Sequence, residues 1–145
     1  MSGIATSAGP VAFNAALAVT DLKNLCHQTS YDAGWWGIGG SKDNLRAEVR
    51  AETRFGKALA AEKLALIHSE VSEALEGLRK GKADEHLPEF PSEAVELADA
   101  LIRIFDYAGA RRLPLGDAFV AKMAYNTVRP DHKPEARAAV GGKAF

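Results

Sequence analysis

Apolar residues recur at helical spacing along most of the chain. Phe13, Leu17, Leu22, Leu25 and Cys26 mark a first run. They predict a helix over about 11–33, with Pro10 suited to its first position and Gly34 as its stop. Leu59, Leu64, Ile67, Val71, Ala74, Leu75 and Leu78 form one apolar stripe and predict a long second helix that ends near Lys80, before Gly81. Val95, Leu97, Ala98, Leu101, Ile102, Ile104 and Phe105 carry a third to about Ala110. Ser92 is its expected N-cap, and Glu93 and Glu96 lie in its first turns, where carboxylates suit the helix dipole. Phe119, Val120, Met123 and Ala124 support a fourth helix to about Val128, closed by Pro130. Leu45 and Val49, four apart in the polar stretch 43–54, suggest a further short helix. The remainder reads as loop. It comprises a loose start over 1–9, the glycines at 37, 39 and 40, the segment 81–91 with Pro88 and Pro91, a turn at Leu113–Gly116, and an extended tail over 131–145.

Composition sharpens this into a fold class. The chain has 145 residues, the size of one domain, with 27 alanines against 13 valines and isoleucines. Alanine is the best helix former and the β-branched pair favour strands. The expectation is one all-α domain over 1–145, a bundle of four to five helices. Charge is nearly balanced at −1, which excludes a chain-wide basic footprint for a nucleic acid polymer. It is unevenly spread: residues 62–106 hold 11 acids and 5 bases, a local −6, while the rest carries +5. No apolar run approaches the 18 residues of a spanning helix, so no membrane partner is expected. The apolar start has no basic residue before Lys23, so it does not read as a secretory signal. The lone Cys26 allows no intrachain disulfide, and a cytoplasmic setting follows as the expectation.

The acidic middle holds the candidate chemistry. Glu70-x-x-Glu73 lies on the second long helix and Glu96-x-x-Asp99 on the third. Positions three apart share a helix face, so each pair projects two carboxylates from adjacent turns. One such pair is ordinary solvated surface. Two pairs on consecutive helices, flanked by Ile67, Val71, Ala74, Val95, Ala98 and Ile102, are less ordinary. An antiparallel hairpin brings four like charges together, and these repel unless they bind cations. Carboxylates without cysteine suit Mg²⁺ or Mn²⁺. A di-iron bundle needs Glu-x-x-His, but Asn24, Ala65, Ala83 and Arg129 stand three residues before the four histidines. The glycines after Trp36 follow no strand and precede no Gly-Lys-Ser/Thr, which excludes a phosphate-cradling P-loop. Lys63, two turns before Glu70, and Lys122, Asn126 and Arg129 at spacings of four and three are candidate phosphate contacts.

These motifs resemble those of the MazG-like all-α nucleoside triphosphate pyrophosphohydrolases. The likeness is carried by Leu66-Ile67-His68-Ser69-Glu70-Val71-Ser72-Glu73-Ala74-Leu75-Glu76, then 22 residues from Glu73 to Glu96-Leu97-Ala98-Asp99-Ala100-Leu101-Ile102-Arg103. Lys122-Met123-Ala124-Tyr125-Asn126 resembles the family's later Lys…Asn element, and Gly34-Trp35-Trp36 is similar to small phage-type members. The likeness covers about 20–133; the stretch 37–56 looks longer than usual, and the tail from Asp131 falls outside. The resemblance implies hydrolysis of a nucleoside triphosphate at the α-phosphorus to the monophosphate and pyrophosphate. It implies Glu70, Glu73, Glu96 and Asp99 as ligands of two or more Mg²⁺ or Mn²⁺ ions, with Glu73 the candidate base toward water. It implies Lys122, Asn126, Arg129 and Lys63 on the triphosphate, and a homodimer or homotetramer. Trp35 and Trp36 are candidates to stack the base. A purine deoxynucleotide, dGTP first, is the expected substrate. Two alternatives stay open: a dUTPase-like or phosphoribosyl-ATP pyrophosphohydrolase reaction on the same superfold, and a non-catalytic helical interaction module.

Overall fold

The computed structural model describes residues 10–41, 43–130 and 133–141. Six helices occur among these residues and no strand: α1 (Pro10–Asp32), α2 (Asn44–Glu48), α3 (Arg54–Lys80), α4 (Ser92–Ala110), α5 (Leu115–Val128) and α6 (Pro134–Ala138). The all-α expectation holds, with one or two more helices than composition and periodicity predict. The expected loose start at 1–9 lies outside the described residues, as do 131–132 and 142–145 of the expected tail. The described part of that tail is not extended. Pro134 opens α6 instead of breaking the chain, because proline at the first turn of a helix gives up no hydrogen bond.

The boundaries follow local chemistry. Helix α3 begins at Arg54, five residues before the apolar stripe starts, because Thr53 caps it: its side chain accepts from the Gly56 N–H at 3.0 Å. It ends where expected. Gly81 takes a left-handed conformation (φ 59°) and donates its N–H to the carbonyls of Gly77 and Leu78. Ser92 is not the N-cap of α4. Pro91 holds that position and Ser92 is the first helical residue, buried at the helix junction. Helix α5 starts at Leu115, so the expected turn at Leu113–Gly116 is only half turn. The loop 81–91 is closed by backbone bonds from Ser92 N–H to Lys82 O and from Asp84 N–H to Phe90 O, both 3.0 Å. Asp84 Oδ1 accepts from the N–H groups of His86 and Leu87.

The chain divides into two units, Asp21–Leu113 and the combination of Met1–Thr20 with Pro114–Phe145. In the first, α3 and α4 pack as an antiparallel hairpin. Gly77, near the end of α3, meets Ser92 and Glu93 at the start of α4, while Glu70 meets Arg103 further along. A Cβ on Gly77 would stand 2.9 Å from the Glu93 backbone nitrogen, so the close approach needs glycine there. Beside the hairpin, Trp36, Val49, Leu59 and Ala110 form a buried cluster with Tyr31, Leu45, Ala60 and Tyr107 packed against it. Helix α2 earns its place by delivering Val49, and the Asn44 side chain bonds both the N–H and the carbonyl of Ile38, tying down the loop after Trp36. In the second unit, Gly116 lies against the Ala16 carbonyl and the Thr20 hydroxyl.

Much of the predicted stripe of α3 is not core. Leu59 and Ala74 are buried, but Leu64, Val71, Leu75 and Leu78 are between 44% and 58% exposed. Leu97 and Leu101 of α4 are similarly open. Leu64, Val71, Leu75 and Leu78 are seven, four and three residues apart, so they occupy one face of the helix. Among the described residues no helix is long and apolar enough to cross a membrane.

Candidate metal centre

The hairpin sets the acids. Glu70 on α3 and Glu96 and Asp99 on α4 each offer a carboxylate oxygen, and the three atoms lie within 4.8 Å of one another. Glu70 is buried, Glu96 half-buried and Asp99 exposed, so the group opens from the helix junction to solvent. Glu73 does not fall within this set. One turn beyond Glu70, it is exposed, and it lines the same open cavity of about 630 Å³. Its charge still reaches the group. Burial first, then Glu73, Glu70, Asp99 and Asp84, push the Glu96 carboxyl above the usual glutamate range. The donors are all hard oxygens with neither thiol nor imidazole, the chemistry that Mg²⁺ and Mn²⁺ take.

Arg103 is the residue that the motif reading passed over. Its Nε donates to Glu70 Oε1 at 2.5 Å, and the Glu70 side chain is only 8% exposed against 44% for Arg103. Burying an uncompensated carboxylate is costly, and this guanidinium compensates it. The signal was present in the sequence: Arg103 follows Asp99 by four and Glu96 by seven, which puts it on the acids' own face of α4.

A second cavity, of about 270 Å³, adjoins the first and shares Asp99 and Arg103 with it. Trp35, Trp36, Lys63, Asp106 and Tyr107 contribute to its wall. The two tryptophans part company here. Trp35 is 69% exposed, whereas Trp36 is fully buried and donates its Nε1–H to Asp106 Oδ1 at 2.8 Å. Asp106 Oδ1 also bonds His27 Nδ1 at 2.8 Å, and the His27 ring meets Trp36 edge-on. Trp36 is thus a core residue with a satisfied indole, and it offers no free ring face to a base. The stacking expectation passes to Trp35 alone. Lys63 lies on the wall of this cavity with its Nζ 5.0 Å from the centre of the Trp36 ring, a cation–π contact.

Lys122, Asn126 and Arg129 belong to the other unit. Lys122 Nζ stands 5.0 Å and the Arg129 guanidinium 5.8 Å from the centre of the Tyr125 ring. Asn126 Oδ1 is buried with no hydrogen-bond partner among the described residues. No protein-family model, curated protein or solved structure matches this chain, so the functional reading rests on its own residues and their geometry.

Proposed function

We propose that the chain is a divalent-cation-dependent pyrophosphohydrolase of the MazG-like all-α type. It would hydrolyse a nucleoside triphosphate, a purine deoxynucleotide such as dGTP foremost, to the monophosphate and pyrophosphate in the cytosol. The observation that carries this reading is the convergence of Glu70, Glu96 and Asp99 at the α3–α4 junction, next to a cavity walled by Trp35, Lys63 and Asp106. An acidic group that repels itself beside an aromatic and cationic cavity suits a ligand with polyphosphate at one end and a flat ring at the other.

Glu70, Glu96 and Asp99 would hold Mg²⁺ or Mn²⁺, with Glu73 at the rim of the same cavity. When bound, such ions supply charge stabilisation for phosphate oxygens and a nucleophilic water at neutral pH. Glu73, exposed and outside the three-acid set, would be the general base toward water. Lys63 supplies positive charge on the wall of the aromatic cavity, where a triphosphate oxygen would find a charge-assisted donor. The exposed Trp35 ring offers the surface on which a base stacks.

The exposed leucines bear on assembly. Leu64, Val71, Leu75 and Leu78 are exposed along one face of α3, and Leu97 and Leu101 of α4 are exposed as well, among the described residues. Apolar patches of this kind mark protein interfaces. We assign this one to a second copy of the chain, which makes the working unit a homodimer or a homotetramer.

The deciding experiment is a panel of the eight standard ribo- and deoxynucleoside triphosphates with Mg²⁺ or Mn²⁺, resolved by chromatography. Monophosphate and pyrophosphate are the expected products. Glu70→Gln and Asp99→Asn should abolish turnover with helical content intact, and Trp35→Ala should change the purine-to-pyrimidine ratio. Diphosphate as first product, or near-normal turnover in both acid variants at saturating Mg²⁺, overturns the reading.

A further inference from the structure

We infer that Arg103 is an internal counter-ion that occupies Glu70 until a divalent cation displaces it, and that the released guanidinium then serves the anion in the adjoining cavity. The inference rests on the metal reading of Glu70, Glu96 and Asp99. It assigns to Arg103 a role that neither the acid motif nor the phosphate-contact candidates include.

Three observations carry it. Glu70 is the most enclosed of the three acids, and its Oε1 takes the Arg103 Nε–H at 2.5 Å. That oxygen cannot give its charge fully to a cation while the guanidinium holds it. Arg103 is much more open than its partner, 44% against 8%, so it has room to leave while Glu70 does not. And Arg103 belongs to both cavities: it lines the acidic one with Glu70, Glu73, Glu96 and Asp99, and the aromatic one with Trp35, Lys63 and Asp106. A side chain released from Glu70 therefore turns into the aromatic cavity without leaving its own helix position.

The physical consequence is reciprocal coupling. Without a cation the buried Glu70 charge is compensated from within, which lets the hairpin close on three carboxylates. With a cation, Glu70 changes partner and a planar fork of donors becomes available, the geometry that phosphate oxygens accept in pairs. Cation and phosphate each favour the arrangement in which Arg103 has left Glu70, so each tightens the other's binding.

The wild-type protein tests this directly. In ¹⁵N spectra the Arg103 Nε–H, bonded to a buried carboxylate, should shift on titration with Mg²⁺, with the same midpoint as heat-detected Mg²⁺ binding. Arg103→Gln should raise Mn²⁺ affinity by about tenfold, the scale of one charge-assisted hydrogen bond. Arg103→Lys, which keeps the charge and loses the Nε–H, should raise it less. Saturating Mn²⁺ should tighten dGMP binding in the wild type and lose that effect in Arg103→Gln. An unmoved Nε–H at saturating Mg²⁺, or Mn²⁺ affinity unchanged or lower in Arg103→Gln, overturns the inference and leaves the metal reading standing. A wild-type protein that binds neither ion overturns both.

Discussion

Glu96 shows how one side chain reports the condition of the whole site. Burial and four neighbouring acids raise its pKa in the folded chain. A carboxyl that is harder to ionise folded than unfolded makes the folded state the better proton binder. Stability therefore falls as pH rises from the ordinary glutamate range through the raised value, and the full cost persists above it. In EDTA, the wild-type melting temperature should decline across that window, while Glu96→Gln flattens the profile and melts higher at neutral pH. Mg²⁺ should restore the wild type at neutral pH and do little for Glu96→Gln. Parallel profiles for the two proteins would show that the repulsion is not felt. Trp35 and Trp36 make a second point at this scale. Adjacent identical residues have opposite environments because successive side chains in a loop point apart, and only one of these indoles finds an acceptor, Asp106, inside the fold.

At the scale of elements, the α3–α4 hairpin is the device that creates the site. Gly77 packs tightly against Ser92 and Glu93, and the acids stand one to two turns away on both helices. Gly77→Ala forces a Cβ into backbone that cannot give way like a flexible side chain. Overpacking of this sort costs about 1–3 kcal/mol. The expected outcome is a lower melting temperature together with weaker Mn²⁺ binding, since spreading the helices parts Glu70 from Glu96 and Asp99. Calorimetry on the variant checks both, and an unchanged melting temperature would mean that the helices accommodate the methyl. Helix periodicity located α3 and α4 well, because a long amphipathic run is a strong local signal. The starts of α3 and α5 were less legible: Thr53 and Pro114 act through capping and backbone geometry and leave no mark on the hydrophobic pattern.

For the whole molecule, the open question posed by the surface is what covers the leucines. A chain with Leu64, Val71, Leu75 and Leu78 on one helix face, each at least 44% exposed, is not expected to stay alone in water. Light scattering should give twice or four times the chain's 15.5 kDa. The double variant Leu75→Glu, Leu78→Glu should shift the mass toward one chain while circular dichroism stays helical, because the two residues are exposed within the chain itself. A wild-type monomer would leave the face to some other partner and remove the oligomer from the proposal.

The sequence by itself determined the helical class, the α3 stop at Gly81 and the register of the acids. These are properties of spacing and of single residues, and neighbours along the chain suffice to express them. Only the tertiary structure decided which acids converge, that Glu73 stands outside the three, and that Arg103 holds Glu70. It also decided that Trp36 belongs to the core and Trp35 to the surface. Those outcomes join residues far apart in the chain, 33 positions for Glu70 and Arg103 and 70 for Trp36 and Asp106. Periodicity says which face of a helix is apolar or charged. It does not say which neighbour that face meets, and the pairing of a buried charge or a buried indole is settled by the neighbour.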